Sequence, residues 1–211
     1  MADLLNLCWM CGPYAFRDLP GAPIRLKFLL LVFLLAIPVS ANQNLEIDQF
    51  GIYSHAVWRA SHHLNPGIPQ AEVLDFCWST WEGCGHDEGM MEVYTAICIQ
   101  ETSLNFIDND FGAGYCGGYW PLIRRLLREH GVIAYPEAWV MHHPQVLNKW
   151  LAQRFCHMVK SSSIEEAVKT WRIGCHWRTN GEKREIADDY LEEVGNKLEW
   201  FKGKFKEGEI Q

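Results

Sequence analysis

Apolar residues recur along most of this chain at a helical rather than an alternating spacing. From Leu45 to Ser61 they fall at Ile47, Phe50, Tyr53, Val57 and Trp58, close to a 3.6-residue period. Pro69 opens a second, short helix through Phe76, proline being favoured in a first helical turn. Gly83 to Gly89 reads as a loop. A third helix runs from Met90 to Thr102, apolar at Met90, Val93, Tyr94, Ile97 and Cys98. Phe111 to Gly118 is too rich in glycine for a regular helix. Pro121 to His130 is helical and stopped by Gly131, and Pro144 to Lys160 is a long helix. Ser163-x-x-Glu166 has the form of a capping box and starts the next. Glu182 to Trp200 is the last helix, and from Lys202 onward the chain reads as a frayed tail. No alternating run is long enough for a dominant sheet, and there is no internal repeat or low-complexity linker. The expectation is one mostly α domain.

The first forty residues break this pattern. Phe28–Val39 reads FLLLVFLLAIPV, is preceded by Arg25 and Lys27, and is followed by Val39-Ser40-Ala41. A positive, apolar, small-residue order marks a secretory signal, and the apolar run falls short of the ~20 residues a membrane span needs. The division expected is 1–41 as N-terminal extension and signal peptide and 42–211 as the exported domain, in the periplasm or the extracellular wall space. Contact with membrane would then come only through an uncleaved signal segment. The basic pair is unusually far from Met1. A start at position 26 would give an ordinary bacterial signal, Met-Lys-Phe-Leu-Leu-Leu.

Composition narrows the function. With 48% hydrophobic and 21% charged residues the chain has enough apolar matter for a core. A formal net charge of -7 and the absence of a basic block argue against nucleic acid as a partner. Six cysteines follow the signal, Cys77, Cys84, Cys98, Cys116, Cys156 and Cys175, an even set that suits an oxidising compartment. Six allow 15 connectivities. Cys77–Cys84, close in sequence and flanking a turn-rich stretch, is the expected pair, and Cys98, inside a helix, is expected as a buried free thiol. No spacing matches a metal site, because His62-His63 and His142-His143 are adjacent rather than one helical turn apart. Ten Trp serve a core, and aromatic faces also stack on the apolar faces of sugar rings.

The chemistry concentrates in 96–122, AICIQETSLNFIDNDFGAGYCGGYWPL. Glu101 arrives at the C-terminal end of an apolar helix, followed at once by Thr102. After a short polar stretch come Gly112-Ala113-Gly114, then Tyr119-Trp120 before Pro121. A general acid working near neutrality needs a carboxyl that resists ionisation, and apolar burial and the negative end of a helix dipole both act that way. A glycine-rich loop lets main-chain groups approach a sugar closely.

This stretch resembles the core motif of the lytic transglycosylase and goose-type lysozyme family, within the lysozyme-like superfamily. That motif is a helix ending in Glu-Ser, an aromatic a few residues on, then Gly-Ala-x-Gly-Leu-Met-Gln and a proline. Glu101-Thr102 stands for the Glu-Ser pair, Phe106 for the aromatic, and Gly112 to Pro121 matches the second block in length. Thr170-Trp171-Arg172-Ile173-Gly174 echoes the family's Ala-Tyr-Asn-Ala-Gly helix, and Tyr190-Leu191-Glu192-Glu193-Val194 resembles its closing helix with a cleft-lining Tyr. The likeness spans 90–200. Tyr115 replaces the second Gly, Gly118 stands where the family has Gln, and Trp171 and Arg172 replace Tyr and Asn.

The resemblance implies a single lysozyme-like helical domain that cleaves the MurNAc–GlcNAc bond of peptidoglycan glycan strands, with Glu101 as the one acid/base and a 1,6-anhydro product. It implies no cofactor and no metal. Thr102, Gly118, Tyr119, Trp171 and Tyr190 are the expected substrate contacts, with the Thr102 hydroxyl orienting the carboxyl. An envelope or secretion-machine partner is compatible with such an activity. Two alternatives stand beside it. One is hydrolysis with inversion, which needs a second carboxylate about 6.5–9.5 Å away, for which Asp108 and Asp110 are the candidates. The other is a non-catalytic wall-binding or envelope-assembly protein on the same scaffold.

Overall fold

The computed structural model describes residues 41–206, with side chains from 48 to 204. The signal expected over 1–41 therefore lies outside the described residues except for Ala41, which opens the first helix. Eight α-helices follow in order: α1 Ala41–Leu64, α2 Gln70–Cys84, α3 Glu88–Thr102, α4 Trp120–Glu129, α5 Pro136–His142, α6 Pro144–Ser161, α7 Ile164–Ile173 and α8 Gly181–Lys206. Between α3 and α4 lie three short strands, β1 Ile107–Asp108, β2 Gly112–Gly114 and β3 Gly118–Tyr119. A 3₁₀ helix, Gly174–Arg178, links α7 to α8. The molecule is mostly α with a small antiparallel sheet in the order β1-β2-β3. Ile107 pairs with Gly114, and Gly112 with Tyr119.

The helix α3 is the axis of the core. Met91 and every residue from 93 to 99 are buried, so this helix is enclosed on all sides rather than amphipathic. The helices α6 and α8 pack on it, and α2 packs along α6. Asp87 caps its N-terminus, its side chain accepting from the Met90 N–H at 3.1 Å. Asn148 of α6 is buried and satisfied: it donates to Ser79 Oγ at 2.7 Å and to Thr80 Oγ1 at 3.0 Å, and it accepts from the Tyr94 hydroxyl at 3.1 Å. Such a network joins three helices in one register.

Several boundaries differ from the sequence expectation for identifiable reasons. The second helix does not stop near Phe76 but continues through Gly83 to Cys84. A Cβ on Gly83 would lie 2.6 Å from the Lys149 carbonyl oxygen and 2.7 Å from Ala152 Cβ. Gly83 is therefore a point of close helix approach inside α2, not the start of a loop. The short helix α5 is an element that the periodicity does not announce. The last helix runs on to Lys206 instead of fraying at Lys202, because Phe201 is fully buried and anchors it. Ser163 caps α7, accepting from the Glu166 N–H at 3.2 Å. The reciprocal half of the expected capping box is absent: the Glu166 carboxylate instead accepts from Arg178 at 3.0 Å.

The cysteines pair differently from the expectation. Cys84 bonds to Cys156, joining α2 to α6, and Cys98 bonds to Cys116, joining α3 to the glycine-rich segment. Cys175 is disulfide-bonded as well. Cys77, expected to pair with Cys84, is a free buried thiol, and burial pushes it well above the usual thiol range. Contiguity in sequence misled here because Cys77 and Cys84 share one continuous helix, while Cys156 faces Cys84 across the α2–α6 contact.

Around α5, four aromatic rings form a continuous stack. His130 lies on Trp150 with centroids 3.8 Å apart and planes at 4°, Trp150 on Trp139 at 5.2 Å and 4°, and Trp139 on His143 at 4.4 Å and 13°. Among the described residues, no helix is long and apolar enough to cross a membrane.

Candidate active site

Directly after Glu101 the chain reverses. Ser103 and Leu104 have φ of 54° and 64°, the left-handed region that costs a side-chain-bearing residue about 1 kcal/mol or more. Their N–H groups return to the Ile99 and Cys98 carbonyls at 3.0 and 3.4 Å, closing the helix end, and the Leu104 side chain is buried beneath it. This termination leaves Glu101 on the last turn of α3 with its side chain only 14% exposed.

The small sheet folds back over that turn. The Cys98–Cys116 disulfide fixes its third strand's approach three residues before Glu101, and Gly117 follows with φ 57°. A Cβ there would sit 3.5 Å from Glu101 Cβ and 3.6 Å from Thr102 Cγ2, so glycine meets both the backbone requirement and the close packing. Behind the loop, Tyr115 packs edge-on to Phe106 and Phe76, each at 5.5 Å, filling the core where the resembling family has glycine.

In front of Glu101 lies a cavity of about 660 Å³ between the sheet, the start of α4, and the end of α7 with its 3₁₀ extension. Its walls include Glu101, Gly118, Tyr119, Trp171, Arg125 and His176. Phe111 and Tyr119 stand at its rim, 79% and 64% exposed, and supply free aromatic faces. Trp171 is held edge-on to Tyr94 and Phe155, each at 5.9 Å, and presents its remaining surface to the cavity. Among the described residues Glu101 is the one carboxylate lining it. Ile107, Asn109 and Phe111 line the cavity while Asp108 and Asp110 do not and are exposed, as the alternation of an extended segment requires.

The two carboxylate oxygens of Glu101 have different surroundings. Oε2 accepts from Arg172 Nη1 at 3.2 Å. Oε1 is buried and meets no donor in strict hydrogen-bond geometry. The Tyr190 hydroxyl from α8 is buried against the Glu101 carboxylate and interacts with it through charge and a hydrogen bond that falls outside strict geometry. Burial first, and the Glu101 charge second, hold the Tyr190 phenol well above its usual range. The Arg172 guanidinium lies over the Tyr190 ring, 5.8 Å from its centroid. Tyr190 borders a second cavity of about 430 Å³ with Gln100, Asp189 and Glu193.

Of the residues expected at the site, Glu101, Gly118, Tyr119 and Trp171 share the larger cavity, and Tyr190 adjoins Glu101 from the smaller one. Thr102 is not among the cavity residues. Its hydroxyl is engaged by the Cys98 and Tyr115 carbonyls, so it fastens the loop to the helix rather than orienting the carboxyl. Arg172 and Phe111 were not anticipated as site residues. Phe111 could have been found by extending the alternation of Ile107 and Asn109. Arg172 reaches Glu101 from 71 positions away, and no local pattern announces that. Among the described residues no group of three or more His, Cys, Asp or Glu is placed to hold a metal ion. No family model, curated protein or solved structure matches this chain.

Proposed function

We propose that this chain is a peptidoglycan lytic transglycosylase on a lysozyme-like scaffold, with Glu101 as its single acid/base. The observation that carries the reading is a nearly buried carboxyl on the wall of a cavity that, among the described residues, no other carboxylate lines. The cavity volume suits one or two sugar residues. Its aromatic rim and glycine floor suit a polysaccharide strand better than a compact charged metabolite.

On this reading Glu101, protonated, gives its proton to the glycosidic oxygen, and the leaving sugar departs as the alcohol. The acetamido oxygen of the cleaved sugar covers the cationic C1, as in the substrate-assisted exception to the two-carboxylate scheme. Glu101, now ionised, takes the proton from the C6 hydroxyl, and that oxygen closes on C1 to give the 1,6-anhydro ring. One carboxyl serves both transfers and ends in its starting state.

The placement of Asp108 and Asp110 outside the cavity speaks against an aspartate-assisted water. The wall-binding alternative draws on the Glu101–Arg172 pair, which a non-catalytic scaffold would keep permanently closed. Digestion of purified peptidoglycan followed by mass spectrometry separates the three. Anhydro ends are expected, reducing ends would mean hydrolysis, and an intact sacculus would mean binding alone. Export through residues 1–41 and action in the wall space belong to the same proposal.

A further inference from the structure

We propose that the loop 131–135, with α5 and the adjoining turns of α4 and α6, is a docking surface for an anionic phospholipid bilayer. The inference goes beyond the proposed activity. The apolar residues it uses lie outside the Glu101 cavity, and the membrane contact it describes is separate from residues 1–41.

Four of the large apolar side chains exposed among the described residues, Ile133, Tyr135, Met141 and Val146, fall between positions 133 and 146. Ile133 and Tyr135 are each 82% exposed, on the loop that joins α4 to α5. Tyr135 has φ of 51°, and its carbonyl accepts the Trp139 N–H at 2.9 Å, so its exposed ring stands on the first turn of α5 rather than on a loose tip. The stack of Trp139 on Trp150 fastens that helix to α6. Single exposed apolar residues are ordinary, whereas a group of them bordered by polar residues marks a contact surface.

The charge around this group selects the partner. From the start of α4 to the end of α6, Trp120 to Ser161, the chain holds six Lys and Arg against two Glu, a formal +4; the net charge of -7 therefore leaves -11 on the rest. Four histidines lie in the same span. Both glutamates are held by arginines, Glu137 by Arg124 at 2.8 Å and Glu129 by Arg125 at 2.9 Å. The first of these pairs sets the cations of α4 against the opening turn of α5. Arg128, exposed just before the loop, pairs with no carboxylate among the described residues and donates to the Arg124 carbonyl at 3.2 Å. An anionic bilayer engages both parts of such a surface: Ile133 and Tyr135 enter the headgroup boundary while the cations stay among the phosphates. A soluble acidic polymer would leave the apolar side chains in water, and a neutral apolar partner would leave the charge asymmetry unused. The acidic remainder, repelled by the same lipid, turns this end toward it. The ten residues of α4 span about 15 Å, its first turn lining the Glu101 cavity and its last leading to the loop, so docking leaves the cleft open to the wall.

The test is flotation of the protein, as recovered from expressing cells, with vesicles of phosphatidylcholine alone or mixed with phosphatidylglycerol, read beside hydrogen exchange over residues 131–146. At low salt the anionic vesicles should bind about tenfold more protein than the neutral ones, the excess shrinking as salt rises. The amides of 131–135 should exchange more slowly on them. Ile133→Ser/Tyr135→Asn, in which asparagine accepts the left-handed backbone, should lower that binding by about tenfold or more, and Arg128→Glu by several-fold. All three positions are exposed, so circular dichroism should match wild type. No binding to the anionic vesicles, or binding that the apolar double variant keeps, overturns the inference, and the second result points to a polyanion site. Equal binding to both vesicles without protection of 131–146 overturns it as well and assigns the contact to the apolar run 28–39. Activity plays no part in these readouts, so a failure of Glu101 as the acid is told apart from a failure here.

Discussion

Glu101 is held between the Arg172 guanidinium and the buried Tyr190 hydroxyl, and the consequences of replacing it follow from that setting. Glu101→Gln keeps the shape and a hydrogen-bond acceptor for Arg172 but cannot carry the proton. Cleavage should fall by about 10²–10⁴-fold or more, since one residue serves both steps. The ion pair is half exposed on the Arg172 side, so stability should change by less than about 1 kcal/mol either way. Cleavage near the wild-type rate in product analysis would refute the assignment. Cys77 offers a second test at this scale. Its thiol is buried, and burial raises its pKa, so the thiolate that alkylating agents need is suppressed in the fold. Iodoacetamide at about pH 8, near the ordinary thiol pKa, should leave Cys77 unmodified in native protein and modify it in denaturant, as mass spectrometry would show. Glu101, Gly118, Tyr119 and Trp171 were legible in the sequence because each is set by its own segment: a helix end, a glycine turn, a residue before proline, a helix near its stop. The Arg172 contact and the occupied Thr102 hydroxyl were not, since both depend on which loop lands against α3.

At the scale of elements, the Cys98–Cys116 bond does two jobs. It closes a short loop, for which the chain-entropy argument gives about 3 kcal/mol, and it ties the Gly117–Gly118 turn to the helix that carries Glu101. The double variant Cys98→Ala/Cys116→Ala should therefore melt at lower temperature. At a temperature where it remains folded by circular dichroism, its cleavage of peptidoglycan should be reduced by an order of magnitude or more, because loss of about an ångström in placement is costly to catalysis. Retention of full activity in the folded variant would show that Thr102 alone holds the turn. Most helices were readable because their periodicity is carried locally. The strands were not, being two or three residues long and built largely of glycine, and α5 is too short for a period to register. The length of α2 was hidden by Gly83, a residue that looks like a breaker in one dimension and is a contact point in three.

Over the whole molecule, the mostly α class was legible from the spacing of apolar positions, while the arrangement of helices about α3 required the buried network at Asn148 and the α2–α6 contact to be seen. The four-ring stack spanning α4 to α6 has a consequence of an optical kind. Two indoles lying nearly parallel at 5.2 Å couple their electronic transitions, so Trp139 and Trp150 should give a paired signal in near-ultraviolet circular dichroism. His130, against Trp150, has its imidazole pKa lowered, by burial first and against the opposing influence of Glu129. The fold thus favours neutral imidazole: that contribution to stability is complete above the unfolded value near about 6.5 and is lost as pH falls through the lower folded value. An imidazolium in contact with an excited indole accepts an electron more readily than neutral imidazole and quenches its emission. Tryptophan fluorescence should accordingly dim as pH drops from about 7 to about 5, and His130→Phe should remove the share carried by Trp150 while leaving that of the other stacked pairs, such as His143 on Trp139. A wild-type titration that the Phe variant reproduces would assign the quenching elsewhere. If that share does vanish, the protein carries within its own wall an unlabelled reporter of the acidity around it.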